Sequence, residues 1–350
     1  LDATRHHTIK TRFHERAVWE RRELLLRVPL APLARAAGAR FVQDRVTALE
    51  LEGRRVVGER TAYDYDRLIL ALGGSIAHFG VPGAAEHTVS LQTYADASEC
   101  GLRLAALDAS GRNDLRVAVC GAGVEGLEVA AMVRQRLPAR RCEVVVIERS
   151  DEVLARSQCR PAQREYLRRY LHRREIDLRL GATIQAVTEQ GVTLEDGEMV
   201  GADLVYWCAG VRRVALPGTP ADEPFRVNPY LQAEEYPEVF ALGDFATVQS
   251  DQEFANLASA QRAVYLGTLA ARNLWNYDHL RLLRPVRYRP IGELIGLGDL
   301  DGVGIVYGVG VTGKVAGALK KANEVKYLAE LCGGLPGSFL RRIAPESPAS

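Results

Sequence analysis

Three glycines and one carboxylate carry the most specific chemistry in this chain. Gly121, Gly123 and Gly126 stand in Gly-x-Gly-x-x-Gly spacing, directly after the β-branched run Val117 to Val119 and before a helical pattern. A second apolar run, Val144 to Ile147, ends in Glu148. A strand, a glycine turn, a helix, a second strand and a terminal acid together make a dinucleotide-binding fingerprint, which a glycine triplet alone would not. Gly121 permits the tight turn, Gly123 lets backbone N–H groups approach a pyrophosphate, and Gly126 allows close helix–strand packing. The helix N-terminus then faces the phosphate charge. Glu148 is placed to accept from both ribose hydroxyls and to repel a 2′-phosphate, so NADH is expected in preference to NADPH.

Residues 1–115 precede this unit and hold other signals. Tyr65 to Ser75 reads as a buried strand running into the Gly73-Gly74 turn, followed by Phe79-Gly80-Val81-Pro82-Gly83. A parallel segment recurs at Ala202 to Val211, and Val239 to Ala246 carries Gly243-Asp244. A strand followed by Ala/Leu-Gly, twice, with a late Gly-Asp, resembles the flavoprotein disulfide reductase superfamily with its two dinucleotide domains. Within it the chain is most similar to the type II NADH dehydrogenases (NADH:quinone oxidoreductases). The matching segments are His6 to Glu15, Trp207-Cys208-Ala209-Gly210-Val211-Arg212, and Leu257 to Gly267. In the last of these, Tyr265 stands where the family has a second Gln, which puts the quinone contact in doubt and leaves the flavin contact intact.

The resemblance implies an α/β fold: two Rossmann-like domains of the disulfide reductase type and a C-terminal β-hairpin and helix. It implies FAD and NADH as cofactors and a quinone as acceptor. Asp2 would take the adenosine ribose of FAD, and Asp244, with Gly243, the ribityl chain. Val46, Ala71, Leu72, Gly73, Ala209, Gly210 and Ala260 would line the flavin cofactor. Two residues are implied as catalytic: Gln261, beside flavin and quinone at a helix N-terminus, and Glu128, between the two substrate sites. Glu128 reads equally as a first-turn acid favoured by the helix dipole. The family opens with a further strand and Gly-x-Gly-x-x-Gly for the FAD pyrophosphate, ahead of the segment ending in Asp2. The chain reads as lacking that unit, so FAD retention is expected to be weak.

Bulk properties bound the partners. A net charge of +1 implies no nucleic-acid partner. There is no run of eighteen apolar residues, as a spanning helix needs. The six cysteines are scattered without Cys-x-x-Cys or zinc spacing, which points to reduced thiols in a cytoplasmic protein. No cysteine precedes Cys100, against a disulfide reductase. His6-His7 and His14 lack a ligand partner at helical spacing, so no metal site is expected.

The expected division is residues 1–95 and 219–280 for FAD, 96–218 for NAD(H), and 281–350 as a C-terminal segment, a candidate membrane or dimer contact. Within these, a helix spans 29–37 and strands lie near 40–43, 46–51 and 54–57. The Glu148 strand is followed by a helix from Pro161 to Arg174, and a long helix covers 254–275. Gly292 to Val309 reads as a two-stranded hairpin. Lys314 to Leu331 reads as a basic amphipathic helix, with Lys314, Lys320, Lys321 and Lys326 either at a headgroup layer on the cytoplasmic face or simply in water. The tail after Gly337 is expected to fray. Two other functions stay open: a non-catalytic NAD(H)-binding sensor or interaction protein with a degenerate FAD half, and an NADH-dependent flavin reductase with a soluble acceptor.

Overall fold

The computed structural model describes residues 1–19, 26–219 and 224–332. The tail after Gly337 lies outside them. The chain forms two compact units. Unit 1 contains residues 1–7, 29–75 and 211–290, and unit 2 contains residues 8–28, 76–210 and 291–350. Residues 76–95 thus fold with unit 2, and residues 211–218 and 281–290 with unit 1.

Unit 2 is built on a parallel sheet in the order Ile176–Arg179, Cys142–Ile147, Leu115–Cys120, Leu204–Trp207. The two middle strands and Leu204–Trp207 are buried along nearly their whole length. Helices on both faces of a parallel sheet select such continuous apolar runs. The Val124–Arg136 and Pro161–Arg173 helices supply part of that cover, with Leu127, Val133, Leu167 and Leu171 in the core. The Tyr94–Ala109 helix starts where Thr93 and Asp96 form a reciprocal capping box. Beyond the parallel sheet lies a three-stranded antiparallel sheet, Ile184–Thr188, Gly191–Leu194 and Met199–Gly201.

The C-terminal part of unit 2 differs from the expected two-stranded hairpin. Gly292–Leu297 and Asp301–Val306 are joined by a third strand, Val309–Thr312. The turn between the last two uses Tyr307 and Gly308, both at positive φ (48° and 76°), the requirement of a type I′ hairpin. Tyr-Gly is not the usual residue pair for that turn, which hid it. The Gly313–Cys332 helix packs on this sheet through small residues: a Cβ on Gly302 would lie 2.8 Å from the Gly317 nitrogen. Ala316 and Leu328 are buried, and Val315 and Val325 are exposed. Lys314, Lys321 and Lys326 are exposed, but Lys320 is not; it turns inward. Among the described residues no helix is long and apolar enough to cross a membrane.

Unit 1 pairs its parallel strands two by two: Leu68–Leu70 with Val239–Ala241, and Phe225–Val227 with Ala246–Val248. An antiparallel sheet joins Val46–Glu50, Arg55–Gly58 and Ala62–Asp64, the last of which the sequence did not signal. The expected strand near 40–43 shrinks to one parallel bridge, Asp2 to Gln43. Phe225 and Phe245 stack at 5.1 Å in a core shared with Phe240 and Leu266. The long helix spans Ala260–Asp278 rather than starting at 254, because the Ser259 hydroxyl accepts from the Arg262 N–H and fixes the first turn there.

Candidate functional site

The fingerprint glycines of unit 2 meet three different steric demands. Gly121 has φ +107°, and a Cβ there would lie 2.7 Å from the Cys208 carbonyl oxygen. A Cβ on Gly126 would lie 2.0 Å from the Gly121 oxygen, so helix and turn touch backbone to backbone. Gly123 is the opposite case: nothing lies within 4 Å of its Cβ position. Gly123 is also the N-cap of the Val124–Arg136 helix, and it carries no side-chain cap. The first N–H groups of that helix are thus uncapped by a side chain and begin beside open space, the geometry that receives an anion.

Glu148 closes one side of this opening. Its Oε2 accepts from the Ala122 N–H and its Oε1 from the Ser150 N–H, each at 2.8 Å. The carboxylate is thereby held against the fingerprint turn, with acceptor capacity remaining on both oxygens. Ala209 lies behind the same turn, its Cα 3.0 Å from where a Gly121 Cβ would stand. Gly210 follows at φ +153° against the Phe79 ring.

Two acids share the first two turns of the fingerprint helix. Burial pushes the Glu125 carboxyl up to about 7, while the Cys208 thiol hydrogen-bonds to it and Lys10 opposes the shift. Glu128 is buried and fully engaged rather than solvated. Its Oε1 accepts from the Gly296 N–H at 2.9 Å and from the Lys320 ammonium, and its Oε2 lies 3.1 Å from His14 Nδ1. Arg12 binds Glu15 at 2.8 Å and Glu324 at 3.5 Å beside this group. Burial, then the Lys320 charge, holds His14 down to about 3, so its ring is neutral. Burial lowers Lys320 to about 8 and raises Glu324.

Sequence reasoning missed His14, Lys320 and Glu125. His14 was read as having no partner, and Lys320 as part of a wet basic face. A signal was present: Ala316, Lys320, Glu324 and Leu328 recur at four-residue steps, so the small and apolar residues that bury the helix carry the two charges inward with them.

In unit 1 five of the implied residues, Ala71, Leu72, Gly73, Gly243 and Asp244, lie at two glycine turns. Gly73 (φ +69°) and Gly243 (φ +71°) have nothing within 4 Å of their Cβ positions. Gly74 is closed: its Cβ would lie 2.8 Å from the Arg212 oxygen and 3.6 Å from Asp244 Cβ, so the turn after Ala71 and Leu72 sits against Gly243-Asp244. Asp244 itself is exposed. Arg262 is buried beneath it and donates to the carbonyls of Ala255 (2.5 Å) and Gly243 (3.4 Å). Burial lowers its pKa, and the Asp244 charge opposes that. Asp2 Oδ1 accepts from the Thr4 N–H at 2.7 Å and the Thr4 hydroxyl at 2.9 Å. Val46 opens its antiparallel strand and pairs there with Gly58. Ala260 is the first residue of the long helix, and Gln261 Oε1 accepts from the Tyr288 hydroxyl at 2.9 Å. Tyr265 stacks obliquely on Tyr288 at 5.5 Å and accepts from the Arg287 N–H at 2.9 Å. Nothing in the sequence had pointed to Tyr288.

All six cysteines are free thiols. Among the described residues no cluster of His, Cys, Asp or Glu could hold a metal ion.

The chain is similar to several known proteins. The demethylphylloquinone reductase of Synechocystis sp. is 30% identical over 283 residues, covering 77% of this chain and 69% of that protein. The type II NADH:quinone oxidoreductase of Staphylococcus epidermidis is 26% identical over 326 residues, covering 85% and 80%. The structure of NDH2 from Plasmodium falciparum superposes with a TM-score of 0.82 over 93% of this chain and 89% of that one, at 13% identity, which speaks to the fold alone. The model of the pyridine nucleotide-disulphide oxidoreductases matches residues 20–267, and the chain belongs to that family.

Proposed function

We propose that this protein is an FAD-dependent NADH dehydrogenase that passes electrons from NADH to a quinone. The observation that carries the reading is the open, uncapped helix N-terminus at Gly123 with Glu148 fixed beside it. The N–H groups there bind a pyrophosphate, and the Glu148 carboxylate takes the ribose hydroxyls and rejects a 2′-phosphate. Unit 2 is then the NAD(H) domain, and unit 1 the flavin domain. The open glycines Gly73 and Gly243 and the exposed Asp244 fit the ribityl and phosphate side of FAD. FAD, when bound, supplies the hydride acceptor and the relay of two electrons to the quinone. Ala260 and Gln261 offer it the positive end of a helix. Glu128, bonded to Lys320, His14 and the Gly296 N–H, is an internal anchor of unit 2 that positions the Lys320 side chain. Peripheral contact with a membrane surface that contains the quinone completes the reading.

The test is Glu148→Ala. A charge-assisted hydrogen bond is worth roughly 1.5–3 kcal/mol, so NADH affinity should fall by about one to two decades. NADPH should begin to compete. A variant that keeps the full preference for NADH in titration would remove Glu148, and with it the dinucleotide assignment.

A further inference from the structure

The long helix of unit 1 presents a continuous stripe. Tyr265, Thr268, Arg272 and Trp275 follow one another at three- and four-residue steps along Ala260–Asp278, and the C-cap His279 extends the series. Residues 280–289 return along it and are pinned there by a polar net. Asn276 Nδ2 donates to the Leu282 oxygen at 2.9 Å. Asn273 binds the Arg284 backbone at both its N–H (2.9 Å) and its oxygen (2.8 Å). The Tyr265 hydroxyl takes the Arg287 N–H. These bonds fix the returning segment against the helix.

What that surface shows to solvent is basic and apolar together. A cleft of about 480 Å³ is lined by Arg272, Arg284 and Arg287, with Tyr265, Leu269 and Pro285. Among the described residues none of these arginines pairs with a carboxylate, and the acid at the helix end, Asp278, is already held by Arg67 at 2.6 Å. From Leu280 to Pro290 there are four arginines and no acid. Leu280 is 97% exposed, Leu282 92% and Trp275 47%. The Arg281 guanidinium lies 4.6 Å over the Trp275 ring. One exposed leucine is ordinary, but two held outward beside a tryptophan and a rim of unpaired arginines make a patch that needs a partner.

We propose that this face of unit 1 docks on an anionic phospholipid bilayer. Leu280 and Leu282 enter the boundary between headgroups and acyl chains, Trp275 sits at headgroup level, and the arginine cleft takes a lipid phosphate. Charge complementarity selects this occupant. A second copy docking symmetrically would bring the same positive patch against itself, and a free anion would leave the leucines in water. The inference deepens the membrane contact of the proposed function by assigning it a surface, and it uses no residue of the dinucleotide site.

The experiment is sedimentation of the full chain with vesicles of phosphatidylcholine, with and without phosphatidylglycerol. The protein should partition onto the anionic vesicles and not onto the neutral ones, and salt should weaken the binding. Leu280→Ser with Leu282→Ser should lower partitioning by about tenfold for each leucine. Arg284→Glu with Arg287→Glu should lower it by roughly fivefold or more for each arginine. Both leucines are in solvent, so their substitution leaves the fold intact. Equal binding to both vesicle types, or variants that bind as the unaltered chain does, overturns the proposal. So does complete release by millimolar inorganic phosphate, which would make the cleft a soluble-anion site. A dimer in sedimentation velocity that the leucine variants dissociate, with vesicle binding unchanged, would give the face to a second copy. NADH titration of the same samples reports on unit 2 separately, so failure here and failure of the dinucleotide reading are distinguishable.

Discussion

The two units hold their glycine turns in different ways. In unit 2 the fingerprint turn is the end of a strand inside a continuous four-stranded parallel sheet, and it is wedged by backbone: Gly126 against Gly121, Gly121 against Cys208. In unit 1 the described parallel strands pair only two by two, and the Gly243-Asp244 turn adds to its backbone bonds a side-chain donor from below, the buried guanidinium of Arg262. One site is therefore a property of sheet geometry and the other of a polar pin. Steric changes should break the first and polar deletions the second. Hydrogen exchange can read each unit in the same molecule.

The largest expected effect is that of Gly126→Ala. Its methyl group would meet a backbone oxygen at 2.0 Å, where nothing flexible can yield. Displacing the helix from the sheet should cost on the order of 4 kcal/mol or more. Protection should fall in Leu115–Cys120 and Cys142–Ile147, NADH binding should be lost, and the Leu68–Leu70 and Val239–Ala241 amides of unit 1 should keep their protection. A variant that binds NADH normally would show that the turn is not wedged by backbone at all.

Arg262→Met is the matching change in unit 1. It preserves most of the volume but takes the donor from the Ala255 carbonyl in a buried site, while the Gly243 carbonyl keeps the Ala246 N–H. A stranded acceptor costs about 1–3 kcal/mol, so a loss of that size is expected. Protection should fall around residues 243–256 and FAD retention should drop, with NADH affinity unchanged. If hydrogen exchange instead shows loosening across unit 2, the distinction between the two sites fails.

How much of this could be read in the sequence follows the same division. Unit 2 was legible because its strands are unbroken β-branched runs and its glycines have a spacing that only one local geometry satisfies. Unit 1 was less so. Its parallel strands are three residues long, too short for periodicity to speak. Its pin is an arginine, a residue normally read as solvated. The same bias hid Lys320. A lysine among other lysines looks like a wet face, although the four-residue steps from Ala316 to Leu328 mark the side of the helix that the Ala316 and Gly317 contact with the sheet buries. Tyr265 was noticed as a departure from the family, but its bond to the Arg287 backbone depends on residues 280–289 folding back, which no local pattern announces.

The smallest effect concerns pH and belongs to unit 2. Burial raises the Glu125 carboxyl from 4.5 to about 7. Below about pH 4.5 the group is protonated both folded and unfolded, and it costs nothing. As pH rises from there to 7, the unfolded chain releases the proton while the folded chain keeps it, so stability falls across that window and the cost is complete above it. Glu125 is partly exposed, so the penalty is discounted to about 1–2 kcal/mol. His14 acts in the opposite direction: its depressed pKa of about 3 makes the folded unit less stable as pH falls below 6.5. Unit 2 is thus strained from both sides of neutrality by groups within one helix and its neighbours. Glu125→Gln should remove one side only. Thermal melts should show a gain of a few degrees at pH 8, no gain at pH 4, and an unaltered acid limb. A gain of equal size at both pH values would mean that Glu125 is merely a poor fit for its surroundings and that its charge is not what the first turn of the fingerprint helix resists.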